Sequence, residues 1–393
     1  MTEIVYGSVI SEKREPIIVH WWHTVDRVSL AFVLGLFGIG VLLGLAASPP
    51  LAAKNGYMPL HYVNRQLAFG VLAITVMFLF SMLSPKIIRR IGVIGFLLSF
   101  IALAFLPIFG TDFGKGSIRW YSLGFSSLQP SEFLKPFFVI ITAWLISVSF
   151  EINGPPGKAI SFLIAILVSI FLVIQPDFGQ ASLILASWGM IYFVAGAPLL
   201  LLLIVAISIF LAGIFAYSIS EHFARRIDGF LSVKIDPNTQ IGYATNAIQE
   251  GGIFGVGVGE GIVKNILPDA HTDFIIAVAA EEYGLLFVLL IIFIYLTITI
   301  RSLFRLIRER NTFIRLAGTG LAVLFASQAL INLGVAVRLL PAKGMTLPFI
   351  SYGGSSLLAG GIALGMLLAF TRERAQGAIG DVIGQNQNDK QKI

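Results

Sequence analysis

The chain has 393 residues, 56% of them hydrophobic and only 12% charged, with a mean hydropathy of +0.88. That composition excludes an ordinary soluble domain and describes an integral membrane protein. The absence of cysteine removes disulfides, thiolate metal sites and thiol nucleophiles, and the net charge of +6 does not indicate nucleic-acid binding, because its basic residues follow membrane topology.

The N-terminal segment, residues 1–27, shows no cleavable signal: Glu12-Lys13-Arg14-Glu15 and Asp26-Arg27 precede the first apolar run without a cleavage-like site. Ten apolar segments follow, near the roughly 17–25 residues that a bilayer crossing needs. They are approximately Val28–Ala47, Leu67–Leu83, Ile91–Phe109, Phe133–Phe150, Ala159–Ile174, Gln180–Ala195, Pro198–Tyr217, Phe274–Ile300, Leu316–Leu339 and Leu347–Phe370. The predicted fold is an all-α polytopic bundle of about ten transmembrane helices over residues 28–371. The fifth and sixth segments are short and separated only by Gln175-Pro176-Asp177-Phe178-Gly179, so they form two tight spans or one broken helix.

Basic residues orient the bundle. Lys13, Arg14, Arg27, Lys86, Arg89, Arg90, Arg301, Arg305, Arg308, Arg310, Arg315, Arg372 and Arg374 fall on one side. Only Lys54, Arg65, Lys115, Arg119, Arg338 and Lys343 fall on the other. The positive-inside bias therefore predicts both termini in the cytoplasm and the long loop 218–272, between the seventh and eighth spans, outside. The tail 372–393, which contains Gly384-Gln385-Asn386-Gln387-Asn388-Asp389-Lys390, reads as short and disordered. There is no internal repeat and no inverted symmetry of hydropathy.

Four outer clusters carry polar chemistry. In the first, Lys115 and Arg119-Trp120 lead to Gln129-Pro130-Ser131-Glu132, where Ser131 is predicted to cap a helix. Glu132 and Lys135, three apart, share one helix face, either as an internal ion pair or as part of a substrate site. The second is the Gln175–Gln180 break, where Asp177 is placed to cap the restarted helix. The third is Pro268-Asp269-Ala270-His271-Thr272-Asp273 at the lip of an apolar run. Carboxylates are costly there unless used. Glu281 lies about 12 Å deeper along that run at 1.5 Å per residue, and with Glu282 reads as structural, paired to a buried cation. The fourth, Arg338 to Ser356, has two prolines and three glycines and predicts irregular backbone at membrane depth, lining a wet cavity or packed as a hinge.

Arg119-Trp120, Gln129-Pro130-Ser131-Glu132, Gln175-Pro176-Asp177, the glycines from Gly251 to Gly261, Pro268 to Phe274 with Glu281-Glu282, and Pro348 to Ser356 occur in a familiar order. The chain resembles the SEDS proteins (shape, elongation, division and sporulation), the FtsW/RodA family of peptidoglycan polymerases, over essentially its whole membrane region. The run Leu340-Pro341-Ala342-Lys343-Gly344-Met345-Thr346-Leu347-Pro348 resembles the division type more than the elongation type.

The resemblance implies transfer of an undecaprenyl-diphosphate-linked glycan onto lipid II at the outer face of the inner membrane, at the septum, with Asp273 as the essential acidic residue. It also implies a class B penicillin-binding protein (an FtsI-like transpeptidase) and divisome activators as partners, among membrane lipids. Chemistry agrees: a sugar 4-hydroxyl needs a base at the moment of attack, whereas the diphosphate leaves as a stable anion and needs no acid. Arg119, Arg338, Lys343 and a divalent cation (Mg or Mn) could stabilise the departing charge. His271 beside Asp273 gives two ligand types without a third, so no protein metal site is predicted. Substrate contacts are expected from Arg119, Glu132, Lys135, His271, Thr272, Arg338, Lys343, Ser351 and Ser355. The competing readings are a lipid II flippase, an elongation-type polymerase and a non-catalytic scaffold.

Overall fold

The computed structural model describes residues 16–112, 118–124, 126–219, 221–232, 237, 239–341 and 344–373. Lys13, Arg14, Lys115, Lys343 and the tail from Arg374 lie outside the described residues.

Fourteen helices appear among the described residues: α1 Ile17–Thr24, α2 Arg27–Lys54, α3 His61–Met82, α4 Pro85–Ala104, α5 Leu106–Phe109, α6 Pro130–Val148, α7 Gly157–Ile174, α8 Phe178–Val194, α9 Leu199–Ile219, α10 Glu221–Leu231, α11 Gln240–Gly251, α12 Ile275–Ile307, α13 Thr312–Ala336 and α14 Gly354–Phe370. A two-stranded hairpin, β1 Tyr121–Ser122 and β2 Ser127–Leu128, pairs Tyr121 with Leu128 ahead of α6. Among the described residues, seven helices are long and apolar enough to cross a membrane, and α8 and α14 are apolar but shorter. The protein is an integral membrane protein built mainly of helix.

The predicted segments fall on these helices; the third and tenth differ in their bounds, and the fifth and sixth take one of their two open alternatives. The third is interrupted at Phe105, ahead of Pro107, giving α4 and the single turn α5. The fifth and sixth are two separate helices, α7 and α8, packed on each other across the Gln175–Asp177 break. Leu347–Tyr352 is not helical, and α14 starts only at Gly354. The 218–272 segment is itself structured, holding α10, α11 and a 3-10 turn at Val263–Asn265.

Side-chain size decides where these helices touch. α3 and α14 approach closely because Gly361 and Gly365 carry no side chain: a Cβ there would stand 2.4 Å from the Ala73 carbonyl and 2.7 Å from the Met77 carbonyl. α6 and α13 occupy the middle of the bundle, with 72% and 67% of their apolar windows buried against 28% for α3 and α4. One core cluster gathers α2, α12, α13 and α14 around Leu36, Ile291, Leu321 and Met366. A second joins α4, α6, α7 and α8 around Leu134, Phe138 and Trp188.

α12 is broken at Gly284, whose φ of 80° and ψ of −178° leave the helical region. The backbone groups freed there are satisfied by the glycine-rich stretch after α11. Leu285 N–H donates to Gly252 O at 3.0 Å and Leu286 N–H to Ile253 O at 3.3 Å, while Val256 N–H donates to Glu281 O at 2.8 Å. A side chain at Gly284 would stand 2.3 Å from the Ile253 carbonyl. The kink is thus held by a second backbone segment, as unsatisfied groups at membrane depth require.

Candidate functional site

Asp273 lies just before α12, on a turn built around one carbonyl. Asp269, at φ 53°, accepts from the N–H groups of Thr272, Asp273 and Phe274 at 3.1, 3.1 and 3.3 Å, and from the Thr272 hydroxyl at 3.2 Å. This reversal leaves Asp273 half-buried at the lip. The loop before α14 packs against the same turn. Ser351 Oγ donates to Thr272 O and accepts from Leu347 N–H at 2.8 Å, and Tyr352 N–H donates to His271 O at 2.9 Å. Gly344 faces the carboxylate: a Cβ there would lie 3.2 Å from Asp273 Oδ2.

His271 is buried between aromatic rings, 5.5 Å from Tyr62 and 5.4 Å from Tyr352 between centroids. Among the described residues no three His, Asp or Glu side chains converge on a metal position.

Glu132 and Lys135 are both buried on α6, with Lys135 Nζ 2.9 Å from Glu132 Oε2. Each has a further partner: Gln180 Nε2 donates to Glu132 Oε1 at 2.6 Å, and Lys135 Nζ donates to Gln328 Oε1 at 3.3 Å. Gln328 in turn donates to Thr346 O at 3.1 Å. The pair thus reaches the Asp273 loop through one glutamine.

The two arginines are bound to helix ends. Arg119 donates to Gln175 O at 3.1 Å and Pro176 O at 2.6 Å, beyond the last turn of α7, with Asp177 3.9 Å away. Arg338, at φ 58°, donates to Phe230 O and Ser232 O at the end of α10. Such contacts satisfy carbonyls left open by the helix and match its dipole. Ser355 fastens the hairpin to α14, donating to Ser127 O and accepting from Gln129 N–H, both at 3.1 Å. Lys343 lies outside the described residues.

Two local expectations differ. Gln129, not Ser131, occupies the cap position of α6, and Pro130 takes the first helical position, where its missing N–H costs nothing. Glu281 accepts from the backbone N–H groups of Val263 and Lys264 at 2.7 and 2.9 Å rather than from a cation, while Glu282 pairs with Lys264 Nζ. Both carboxylates brace the 3-10 turn leading to Asp269. Gln66, Gln328 and Asn332 stand outside the four clusters that the sequence marks, although polar amides inside apolar helices are the signal of such anchors.

The profile of the cell cycle protein family FtsW/RodA/SpoVE matches residues 27–376. The probable peptidoglycan glycosyltransferase FtsW of Caulobacter vibrioides is 40% identical over 365 residues, covering 92% of this chain and 93% of that protein. Its counterpart in Trichlorobacter lovleyi is 34% identical, covering 87% and 92%. Among solved structures, the rod shape determining protein RodA of Thermus thermophilus superposes with a TM-score of 0.67 at 26% identity, covering 91% of this chain and 99% of that one. A chain from a structure described as coordinating polymerization and crosslinking in a peptidoglycan synthase complex reaches a TM-score of 0.73 at 26% identity, covering 90% and 99%.

Proposed function

Because the chain belongs to the FtsW/RodA/SpoVE family, we propose that it is a peptidoglycan glycosyltransferase of the division type, polymerising lipid II at the outer face of the cytoplasmic membrane. The observation that carries the mechanism is Asp273, held by its own turn and by the pre-α14 loop with its carboxylate toward Gly344. Its carboxylate takes the proton from the acceptor 4-hydroxyl as that oxygen attacks the anomeric carbon of the donor sugar. The bond from that carbon to the diphosphate oxygen breaks, and undecaprenyl diphosphate leaves with the electron pair, inverting the anomeric centre. A positioned base contributes about 100- to 10,000-fold to such a step.

Arg119 and Arg338 keep positive charge at the outer face while holding backbone carbonyls, and with Lys343 they favour the departing diphosphate. A divalent cation, Mg or Mn, would reinforce that role when carried by the substrate. Thr272, Ser351 and Ser355 fix the loops, His271 packs beside the acceptor, and the buried Glu132–Lys135 pair supports the site from beneath. The relatives named FtsW support a place at the septum with an FtsI-like transpeptidase and divisome activators. The basic residues support cytoplasmic termini.

The direct test is a gel assay of purified protein with its transpeptidase partner on lipid II. Wild type should produce glycan strands and Asp273→Asn none, while both express equally and bind the partner. Wild-type protein that translocates fluorescent lipid II in liposomes but never polymerises it would establish the flippase instead. Because the chain has no cysteine, orientation is readable from single introduced thiols. A cysteine at Ser232 should react with an impermeant maleimide in spheroplasts and one at Asn311 should not; the opposite pattern would place Asp273 on the wrong face.

A further inference from the structure

Asn332 is buried within α13, with 2% of its surface exposed. Its side-chain nitrogen lies 2.9 Å from the Asp273 carbonyl and 2.6 Å from the Met345 carbonyl. Both partners are acceptors, so the amide orientation is fixed chemically: the flipped amide would set an oxygen against two oxygens. The position therefore demands two donors from one short side chain. Gln328, one turn earlier on the same face, holds the next carbonyl of that loop, Thr346 O.

We propose that Asn332 is a positioning residue for Asp273, its amide tying the Asp273 main chain to the Met345 main chain and so fixing the carboxylate against Gly344 and the bound acceptor. Met345 directly follows Gly344, whose Cβ position lies 3.2 Å from Asp273 Oδ2, so a shift of either carbonyl moves that gap. The catalytic consequence rests on the polymerase reading, whereas the clamp itself is a structural statement that can be tested without turnover.

Three variants separate the possibilities. Asn332→Asp keeps the shape but offers acceptors to both carbonyls, and Asn332→Leu offers nothing. Asn332→Gln keeps two donors on a chain one methylene longer. In the lipid II assay with the transpeptidase partner, the Asp and Leu variants should lose about 100-fold in kcat, the size expected for a misplacement of about 1 Å. KM for lipid II should stay within about twofold, while the melting temperature should fall in both, because the buried carbonyls of Asp273 and Met345 lose their donor and Asn332→Asp adds a buried carboxylate. The Gln variant should recover about tenfold of the loss. Hydrogen exchange on the full protein in nanodiscs, read by mass spectrometry, should quicken in peptides covering 268–276 and 344–352 together in the Asp and Leu variants and nowhere else.

Normal kcat with unchanged exchange overturns the clamp. A rise in exchange spread across the bundle, rather than confined to those two peptides, overturns it in favour of plain structural support. If wild type never polymerises lipid II yet the two peptides still loosen together, the clamp stands and the polymerase reading falls.

Discussion

At one end of α12 stands Asp273; at the other, Arg301 and Arg305 lock onto Asp26. The two clusters sit at opposite ends of the bundle and use a carboxylate in opposite ways. Asp26 caps α2 and is fully buried, accepting from Ser29 Oγ at 2.9 Å and from Arg301 Nε at 2.8 Å, with Arg305 at 3.4 Å. Arg305 also donates to Thr371 O, Arg372 donates to the Thr24 hydroxyl, and Glu373 N–H donates to Thr24 O. That end therefore closes the N-terminal helix, α12 and the exit of α14 into one ionic clasp. At the Asp273 end the clasp is made of main chain: carbonyls of Asp269, His271, Thr272, Asp273 and Met345 take the donors. A side chain used as a strut fixes structure, whereas a backbone used as a strut sets a side chain up for chemistry.

If that contrast is right, adding bulk beside Asp273 should damage turnover more than stability. Gly344→Val puts a branched side chain at a Cβ position 3.2 Å from Oδ2. It should reduce lipid II polymerisation by about 100-fold or more, the cost of displacing a reacting group by about 1 Å, with the detergent melting temperature nearly unchanged. Equal polymerisation by this variant would break the comparison at its stronger end.

The Glu132–Lys135 pair sharpens it from between the clusters. Either Glu132→Gln or Lys135→Met leaves a partner buried, at about 3–5 kcal/mol for an unpaired buried charge. Each single variant should melt lower, and the double variant should recover part of the loss. Single variants of wild-type stability but without turnover would move the pair from support into the substrate site.

Much of this was legible in the sequence for plain physical reasons. Long apolar runs have few alternatives in a bilayer, so the helices follow from hydropathy, and charge at the lip of a span drew attention to Asp273 before any geometry. Gly284 was not legible, because one glycine inside an apolar run reads as a tolerated flaw until a second backbone is seen filling the break. Arg119 and Arg338 read as phosphate ligands because sequence shows their charge and hides their acceptors, which are carbonyls just past the end of α7 and at the end of α10. Asn332 and Gln328 stand four apart in an apolar helix, a spacing that shows a shared face but not what meets it.

The smallest expected effect belongs to Asp26, and its sign follows from its surroundings. Burial pushes its carboxyl up, but hydrogen bonds from Arg301 and Ser29 and the charges of Arg305 and Arg301 outweigh burial and hold it below the usual carboxylate range. A group whose folded value is depressed adds stability above its unfolded value, near 4 for an aspartate, and that stability is lost as pH falls through the folded value. Asp26→Asn should therefore melt lower than wild type at neutral pH, by an amount on the order of 1–3 kcal/mol given that Arg301 is partly solvent-screened. The gap should narrow below about pH 4 as the wild-type carboxyl protonates. Polymerisation at neutral pH should stay within about twofold of wild type, because the clasp lies at the far end of α12 from the reacting hydroxyl. A melting gap that persists at low pH would show that Asp26 acts through its shape or its cap hydrogen bond alone. A collapse of polymerisation at unchanged stability would show that the two ends of α12 are coupled, and the division between strut and chemistry would have to be redrawn.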